Sequence, residues 1–343
     1  MSSKMEYTRL GDSGLKISRI VFGGMSFGDK NWQQWIRTEE EGLPVLKYAF
    51  DRGINTWDVA DTYSNGESER IIGKAIKKYA IPRAKLVLMT KCYMYVDPDG
   101  GAVNPSRSLT NDGDTVNLVG LSRKHIFDAV DSSIDRLGTY IDVLQIYRLD
   151  RDVPPEEIMK ALNDIVESGK VRYIGASTMA TWEFQRLQNI AEKNGWHKFI
   201  SMQGLYNLLN REDEREMIPF CKATGVGLMP WSPLSAGILT HPWADRSDPR
   251  EKSDVFLKAL FRGREEEADK AVVGRLEELS QKKGVAMAQI AVAWVIKKGG
   301  SPICGLENAE RIDQAIDALS VVLSEEDVAF LEEPYVPKPA FFA

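Results

Sequence analysis

Eight short apolar runs, separated by longer stretches with apolar residues at helical spacing, constrain this chain more than any other feature. The runs are Ile20-Val21-Phe22, Ile54-Asn55-Thr56-Trp57, Leu86-Val87-Leu88-Met89, Val143-Leu144-Gln145-Ile146, Val171-Arg172-Tyr173-Ile174, Phe199-Ile200-Ser201-Met202, Val226-Gly227-Leu228-Met229 and Pro302-Ile303. Between them, Ser122 to Val130 and Pro155 to Leu162 read as amphipathic helices, the second opening on proline and acids as helix N-termini prefer. Parallel strands need a crossover long enough to hold a helix. Eight strand-then-helix units in a row therefore predict an α/β fold, a closed (β/α)8 TIM barrel. The alternative is an open doubly wound sheet, but no Gly-x-Gly-x-x-Gly follows the first strand.

The barrel is expected to fill residues 1–343 as a single domain. Turn residues around Leu10-Gly11-Asp12-Ser13-Gly14-Leu15 predict an N-terminal β-hairpin over 1–18. Residues 92–121 and 235–266 are too long and polar to be plain turns and read as mouth loops, which in compact domains serve as lids or binding loops. Residues 286–296 read as a buried extra helix. The proline-bearing tail, 334–343, either packs over the barrel mouth or is loose. There is no short-period repeat, which argues against a solenoid.

Composition excludes more than it selects. The net charge of −6 argues against a nucleic-acid partner. No apolar run approaches the roughly 20 residues of a membrane span. The opening Met-Ser-Ser-Lys-Met-Glu lacks the apolar core of a secretory signal, so a cytoplasmic location is expected. Cys92, Cys221 and Cys304 lie far apart, as do His125, His197 and His241. Neither set has metal-ligand spacing, so no metal is expected.

Barrel enzymes take their reacting groups from the C-terminal ends of strands. Asp58, Tyr63 and Lys91 fall just after the second strand and at the end of the third. A phenol titrates near 10 in water. A neighbouring ammonium makes it a better acid, and a buried ammonium in turn needs a carboxylate. Tyr63 would then give a proton to a carbonyl oxygen, with Lys91 tuning it and Asp58 holding Lys91. The same residues also fit a structural salt bridge with a tyrosine on the rim, and the residue types alone leave both readings open.

The run Gly53-Ile54-Asn55-Thr56-Trp57-Asp58-Val59-Ala60-Asp61-Thr62-Tyr63-Ser64-Asn65-Gly66-Glu67-Ser68-Glu69 resembles the aldo-keto reductase signature. The resemblance continues through Leu88 to Lys91, Tyr140 to Ile146, Gly169 to Ser177 and Pro230 to Leu234, and so covers nearly the whole chain. Within the family it is most similar to the branch of fungal-type aryl-alcohol dehydrogenases and potassium-channel β-subunits. The resemblance implies NADP(H)-dependent reduction of an aldehyde or ketone, with Asp58, Tyr63 and Lys91 catalytic. The family's fourth residue is a histidine that donates to the substrate oxygen. Here Tyr147 stands in its place, in the context Gln145-Ile146-Tyr147-Arg148. A phenol also donates but is bulkier and does not titrate like imidazole. Tyr147 is therefore a donor in a reshaped pocket, a change that retunes the reaction, a degenerate or engineered position, or a space filler. Loss of one positioned donor costs roughly 10²–10³ in rate.

For the cofactor, the resemblance implies that Ser177, Thr178 and Gln203 hold the nicotinamide amide and that Trp231 stacks on the ring. Ser232, Leu234 and Gly237 lie in the pyrophosphate loop, with Arg250 closing over it. Gly305, Asn308 and Arg311 surround the adenosine 2′-phosphate. Glu307 departs from the family, because a carboxylate there repels that phosphate; NADP(H) remains the expected cofactor. Trp32, Trp35 and Tyr93 suggest an aromatic-lined pocket for an apolar or aromatic small-molecule carbonyl, although the two tryptophans also suit a cover over the core. Two other functions stay open: a nicotinamide-binding regulatory protein with weak or no turnover, and a barrel lyase or isomerase. Oligomeric state, substrate identity and physiological direction are not encoded legibly.

Overall fold

The computed structural model describes residues 4–97, 109–245, 247 and 266–339. After the hairpin β1 (Tyr7–Arg9) and β2 (Lys16–Ser18) come eight parallel strands. They are β3 (Val21–Gly23), β4 (Thr56–Asp58), β5 (Val87–Cys92), β6 (Ile141–Ile146), β7 (Val171–Ser177), β8 (Phe199–Gln203), β9 (Gly227–Leu228) and β10 (Ile303–Cys304). Their order, β10-β3-β4-β5-β6-β7-β8-β9, follows the chain around a ring. The two ends of that order meet: Trp231 bridges Ile303, and Ser301 N and Ile303 N donate to Leu228 O and Pro230 O, both at 2.9 Å. The sheet therefore curls into the expected (β/α)8 barrel.

Each predicted run became a strand, with boundaries moved for local reasons. Ile54 and Asn55 precede β4 because the Asn55 carboxamide instead accepts the Ser18 backbone N–H at 2.9 Å, tying the hairpin to the barrel. Pro302 has no N–H for a ladder, so β10 starts one residue later, while the Pro302 carbonyl accepts from Val21 at 3.0 Å.

The helices on the outside are α1 (Glu39–Asp51), α2 (Glu67–Lys78), α3 (Arg123–Leu137), α4 (Pro155–Glu167), α5 (Thr181–Asn194), α6 (Met217–Thr224), α7 (Glu266–Lys283), α8 (Met287–Lys297), α9 (Ala309–Asp317) and α10 (Glu325–Glu332). Ser122 caps α3 by accepting from His125 N at 3.2 Å, and Pro155 opens α4. The predicted extra helix is α8; its Trp294 is buried and gives its indole N–H to Glu332 at 2.8 Å.

The hairpin closes the N-terminal end of the barrel. Leu10 and Ile17 pack with Val21, Val87, Met89, Val143, Met229 and Ile303. The tail resolves toward packing: Tyr335 donates to Glu212 at 2.5 Å and accepts from Arg211 N at 3.0 Å, so residues 335–338 lie on the segment after β8. Among the described residues no helix is long and apolar enough to cross a membrane, and no three His, Cys, Asp or Glu residues gather as a metal site would need.

Candidate active site

Strands β4, β5, β6 and β8 each send one polar side chain to the same point in the barrel interior. Lys91 Nζ lies 2.6 Å from Asp58 Oδ2 and donates to the Val59 carbonyl at 2.8 Å. The other oxygen, Asp58 Oδ1, accepts from Gln145 Nε2 at 2.9 Å and from Gln203 Nε2 at 2.7 Å. Asp58 and Lys91 are 2% and 3% exposed, so charges that would be costly alone are neutralised as a pair and fully hydrogen-bonded. The register explains the meeting: Lys91 pairs with Gln145, and Gln145 with Gly175. A side chain at 175 would press on Gln145 and Ser201, so glycine leaves the room that Gln145 occupies.

Tyr63 sits on the turn after β4, and its neighbours pin it from two sides. Ser64 Oγ accepts from Asp29 N at 2.7 Å, and the Asn65 amide exchanges hydrogen bonds with the backbone of Asp97 at 2.7 and 3.2 Å. Lys91 Nζ is 5.2 Å from the Tyr63 ring centre. Tyr147, after β6, meets Tyr63 edge to face at 6.3 Å.

Burial, then the Asp58 charge, pushes the Tyr63 hydroxyl above the usual phenol range; the neighbouring Tyr147 and the Arg148 guanidinium work the other way. Burial and the neighbouring Tyr63 raise Tyr147 as well. The Lys91 ammonium, expected to make Tyr63 more acidic, is paired with Asp58, and burial disfavours the phenolate, so the net direction is upward.

The ends of β7, β8 and β9 form the neighbouring wall. Ser177 Oγ donates to Gln203 O at 3.1 Å and lies 3.3 Å from Thr178 Oγ1. The Trp231 indole donates to Thr178 Oγ1 at 3.1 Å, so Thr178 orients the tryptophan. Gln203 touches both groups of residues, since its amide N–H reaches Asp58.

Beyond Trp231 the chain turns through Ser232, Ser235, Ala236 and Gly237 at φ 53°, 49°, 54° and 104°. Within this turn Ser235 N donates to Ser232 O and Gly237 N to Leu234 O, both at 2.9 Å, which holds the left-handed residues in place. Ser235 Oγ is buried and has no partner among the described residues. Leu234 lies in the same turn, half-buried against the core. Arg250 lies outside the described residues.

After β10, Gly305 precedes Glu307, whose carboxylate is 10% exposed and lies 3.1 Å from Arg311 Nη1 and 3.7 Å from Arg37 Nη2. Asn308 spends its carboxamide oxygen capping α9, accepting from Arg311 N at 2.9 Å. Arg37 Nε is buried without a partner among the described residues. In barrel enzymes the loops after the last two strands, with a nearby helix N-terminus, commonly hold phosphate. The unpartnered Ser235 hydroxyl and Arg37 Nε, on those two sides, suit a phosphorylated cofactor.

Trp32 meets Tyr63 at 6.5 Å between ring centres and also packs on the core. Trp35 is half-buried in the same segment. Tyr93 faces the charged loop after β6: burial and the carboxylates of Asp150 and Asp152 raise its hydroxyl. Sequence reasoning named Gln145 only as a strand residue and passed over Arg37. The signal for Gln145 was a polar residue at an inward position, two after Val143; Arg37 carried no comparable mark.

The geometry agrees with the comparisons. The model of the Aldo/keto reductase family matches residues 19–335. The chain is 58% identical over 336 residues to the versiconal hemiacetal acetate reductase of Aspergillus parasiticus, covering 97% of this chain and 98% of that protein. It is 51% identical to a putative aryl-alcohol dehydrogenase of Schizosaccharomyces pombe, covering 97% and 96% of the two chains. It is 49% identical to the putative aryl-alcohol dehydrogenase AAD16 of Saccharomyces cerevisiae, covering 97% and 98%.

Proposed function

This chain belongs to the aldo/keto reductase family, and from that premise we propose that it reduces an aromatic or hydrophobic aldehyde or ketone with NADP(H) in the cytosol. The observation that carries the reading is the Tyr63 ring beside a buried Lys91–Asp58 pair at the C-terminal end of the barrel. The nicotinamide cofactor, when bound, supplies the hydride that no side chain provides. Ser177, Thr178, Gln203 and Trp231 would hold its ring, Ser232 to Gly237 its pyrophosphate, and Gly305, Asn308, Arg37 and Arg311 its adenosine end.

The chain's own residues manage the proton. Tyr63 Oη gives its proton to the carbonyl oxygen as negative charge develops there. The Lys91 ammonium beside the ring stabilises the phenolate that remains, and the Tyr147 ring packs against Tyr63 edge to face. Trp32 and Tyr147 flank Tyr63 and favour a flat or apolar substrate. The names of the relatives, a hemiacetal acetate reductase and aryl-alcohol dehydrogenases, point to similar compounds. The free, buried Cys92, Cys221 and Cys304 suit a reducing compartment.

The test is NADPH consumption with a panel of aromatic aldehydes. Tyr63→Phe is expected to lower kcat by at least about 10³-fold with cofactor affinity unchanged; full turnover in that variant removes Tyr63 from the acid role. One observation favours a second reading. Tyr147 sets a half-buried ring edge to face against Tyr63 where the family carries a histidine, which suits a protein that binds nicotinamide without fast turnover. Tight NADPH binding with no reduction across the panel would select it.

A further inference from the structure

The salt-bridge triad after β10 holds a carboxylate where the proposed cofactor needs room for phosphate. Glu307 is nine-tenths buried, yet it neighbours two guanidiniums: Arg311, four residues on in α9, and Arg37 from the segment after β3. Arg37 also reaches Glu41 at 3.4 Å, which in turn pairs with Lys30 at 3.3 Å, so Arg37 is shared between two carboxylates. The α9 N-terminus, with Asn308 as its cap, adds the positive end of a helix to the same place. Two guanidiniums and a helix start form an anion site. In this structure Glu307 supplies the anion from within.

We propose that Glu307 is the residue that sets this protein's discrimination between cofactors with and without a 2′-phosphate, by acting as a built-in competitor for Arg37 and Arg311. The assignment rests on the cofactor reading above. A 2′-phosphate needs the same guanidiniums and is repelled by the carboxylate, so it engages only when Glu307 leaves them. A plain ribose meets no such conflict, because a carboxylate accepts its hydroxyl hydrogen bonds. Arg311 and Arg37 are 47% and 39% exposed, so both have room to swing toward an incoming phosphate. Wild-type protein should therefore prefer the phosphorylated cofactor less than its two arginines would allow.

The test is calorimetric titration of the whole protein with 2′,5′-ADP and with 5′-AMP. Glu307→Gln keeps the side chain's shape and removes its charge. It is expected to bind 2′,5′-ADP about tenfold or more tightly than the parent, with 5′-AMP affinity within about twofold. Adding Arg311→Met, an exposed position, should abolish that gain. Unchanged 2′,5′-ADP affinity in Glu307→Gln overturns the proposal. So does an equal gain for both nucleotides, which would reflect general charge instead of the 2′ position. Failure of both proteins to bind either nucleotide overturns the proposal together with the cofactor reading, whereas 5′-AMP binding without the predicted 2′,5′-ADP response overturns the proposal alone.

Discussion

At one end of the barrel Leu10 and Ile17 of the hairpin meet Val21, Val87, Met89, Val143 and Met229, without a charge among them. At the other end the same strands carry Lys91, two residues beyond Met89, and Gln145, two beyond Val143, gathered on Asp58. Period-two alternation keeps all of these side chains inside the barrel, so what changes along a strand is chemistry and not direction. The apolar end stabilises the fold by removing surface from water. The polar end is stable only while every charge keeps its partner, and that dependence makes it sensitive to single changes.

The sharpest way to break this contrast is Lys91→Met. It leaves the Asp58 carboxylate buried with only two amide donors, which is expected to cost about 3–5 kcal/mol in urea unfolding. Adding Asp58→Asn should return most of that loss, because no unpaired charge remains; a double variant as unstable as the single one would mean that shape, not charge, dominates there. At the other end, Ile17→Ala empties a fully buried site. It is expected to cost about 2–4 kcal/mol while turnover stays within about twofold. A large fall in kcat would show that the two ends are coupled.

The smallest effect sharpens the contrast just behind the polar end. Asp61 is buried, and its Oδ1 has no partner among the described residues. Its neighbour Glu69 already has partners, Thr90 and Arg136, both at 2.6 Å. Burial first, then the Glu69 charge, raises the Asp61 carboxyl well above the usual range, against the weaker pull of Arg136 and Lys91. An unfolded aspartate releases its proton near pH 4. Above that pH the folded chain holds the proton longer than the unfolded chain does, so stability falls as pH rises toward the folded pKa. Asp61→Asn removes this slope, and the variant's Tm advantage over the parent should widen from pH 5 to pH 8. A constant difference would mean that Asp61 is ionised and paired.

Most of the architecture was legible, because strand periodicity and long crossovers are local properties. Asp58, Tyr63 and Lys91 were legible as a group once barrel geometry placed strand ends together, and Tyr147 only through the family resemblance. What stayed hidden depended on distances across the ring. Nothing near Gln145 or Gln203 in the sequence says that both amides turn to one oxygen of Asp58. Arg37 and Glu307 are separated by most of the chain, and their approach follows only from β10 pairing with β3. The surroundings of Tyr63 were also hidden: adjacency to a lysine suggested a stronger acid, whereas burial and the Asp58 charge push the phenol the other way.

The hairpin plug has a consequence for the order in which the molecule assembles. Asp12 N bonds to the Gly225 carbonyl, and Val21 N bonds to Pro302 O. Segments that leave the ribosome early thus find their partners only after some two hundred or more further residues have been made. Contacts that distant in sequence are closed late and slowly. Leu10 and Ile17 also pack on Val87, Met89 and Val143, so the plug meets its first partners early and its last, Met229 and Ile303, only when the ring closes.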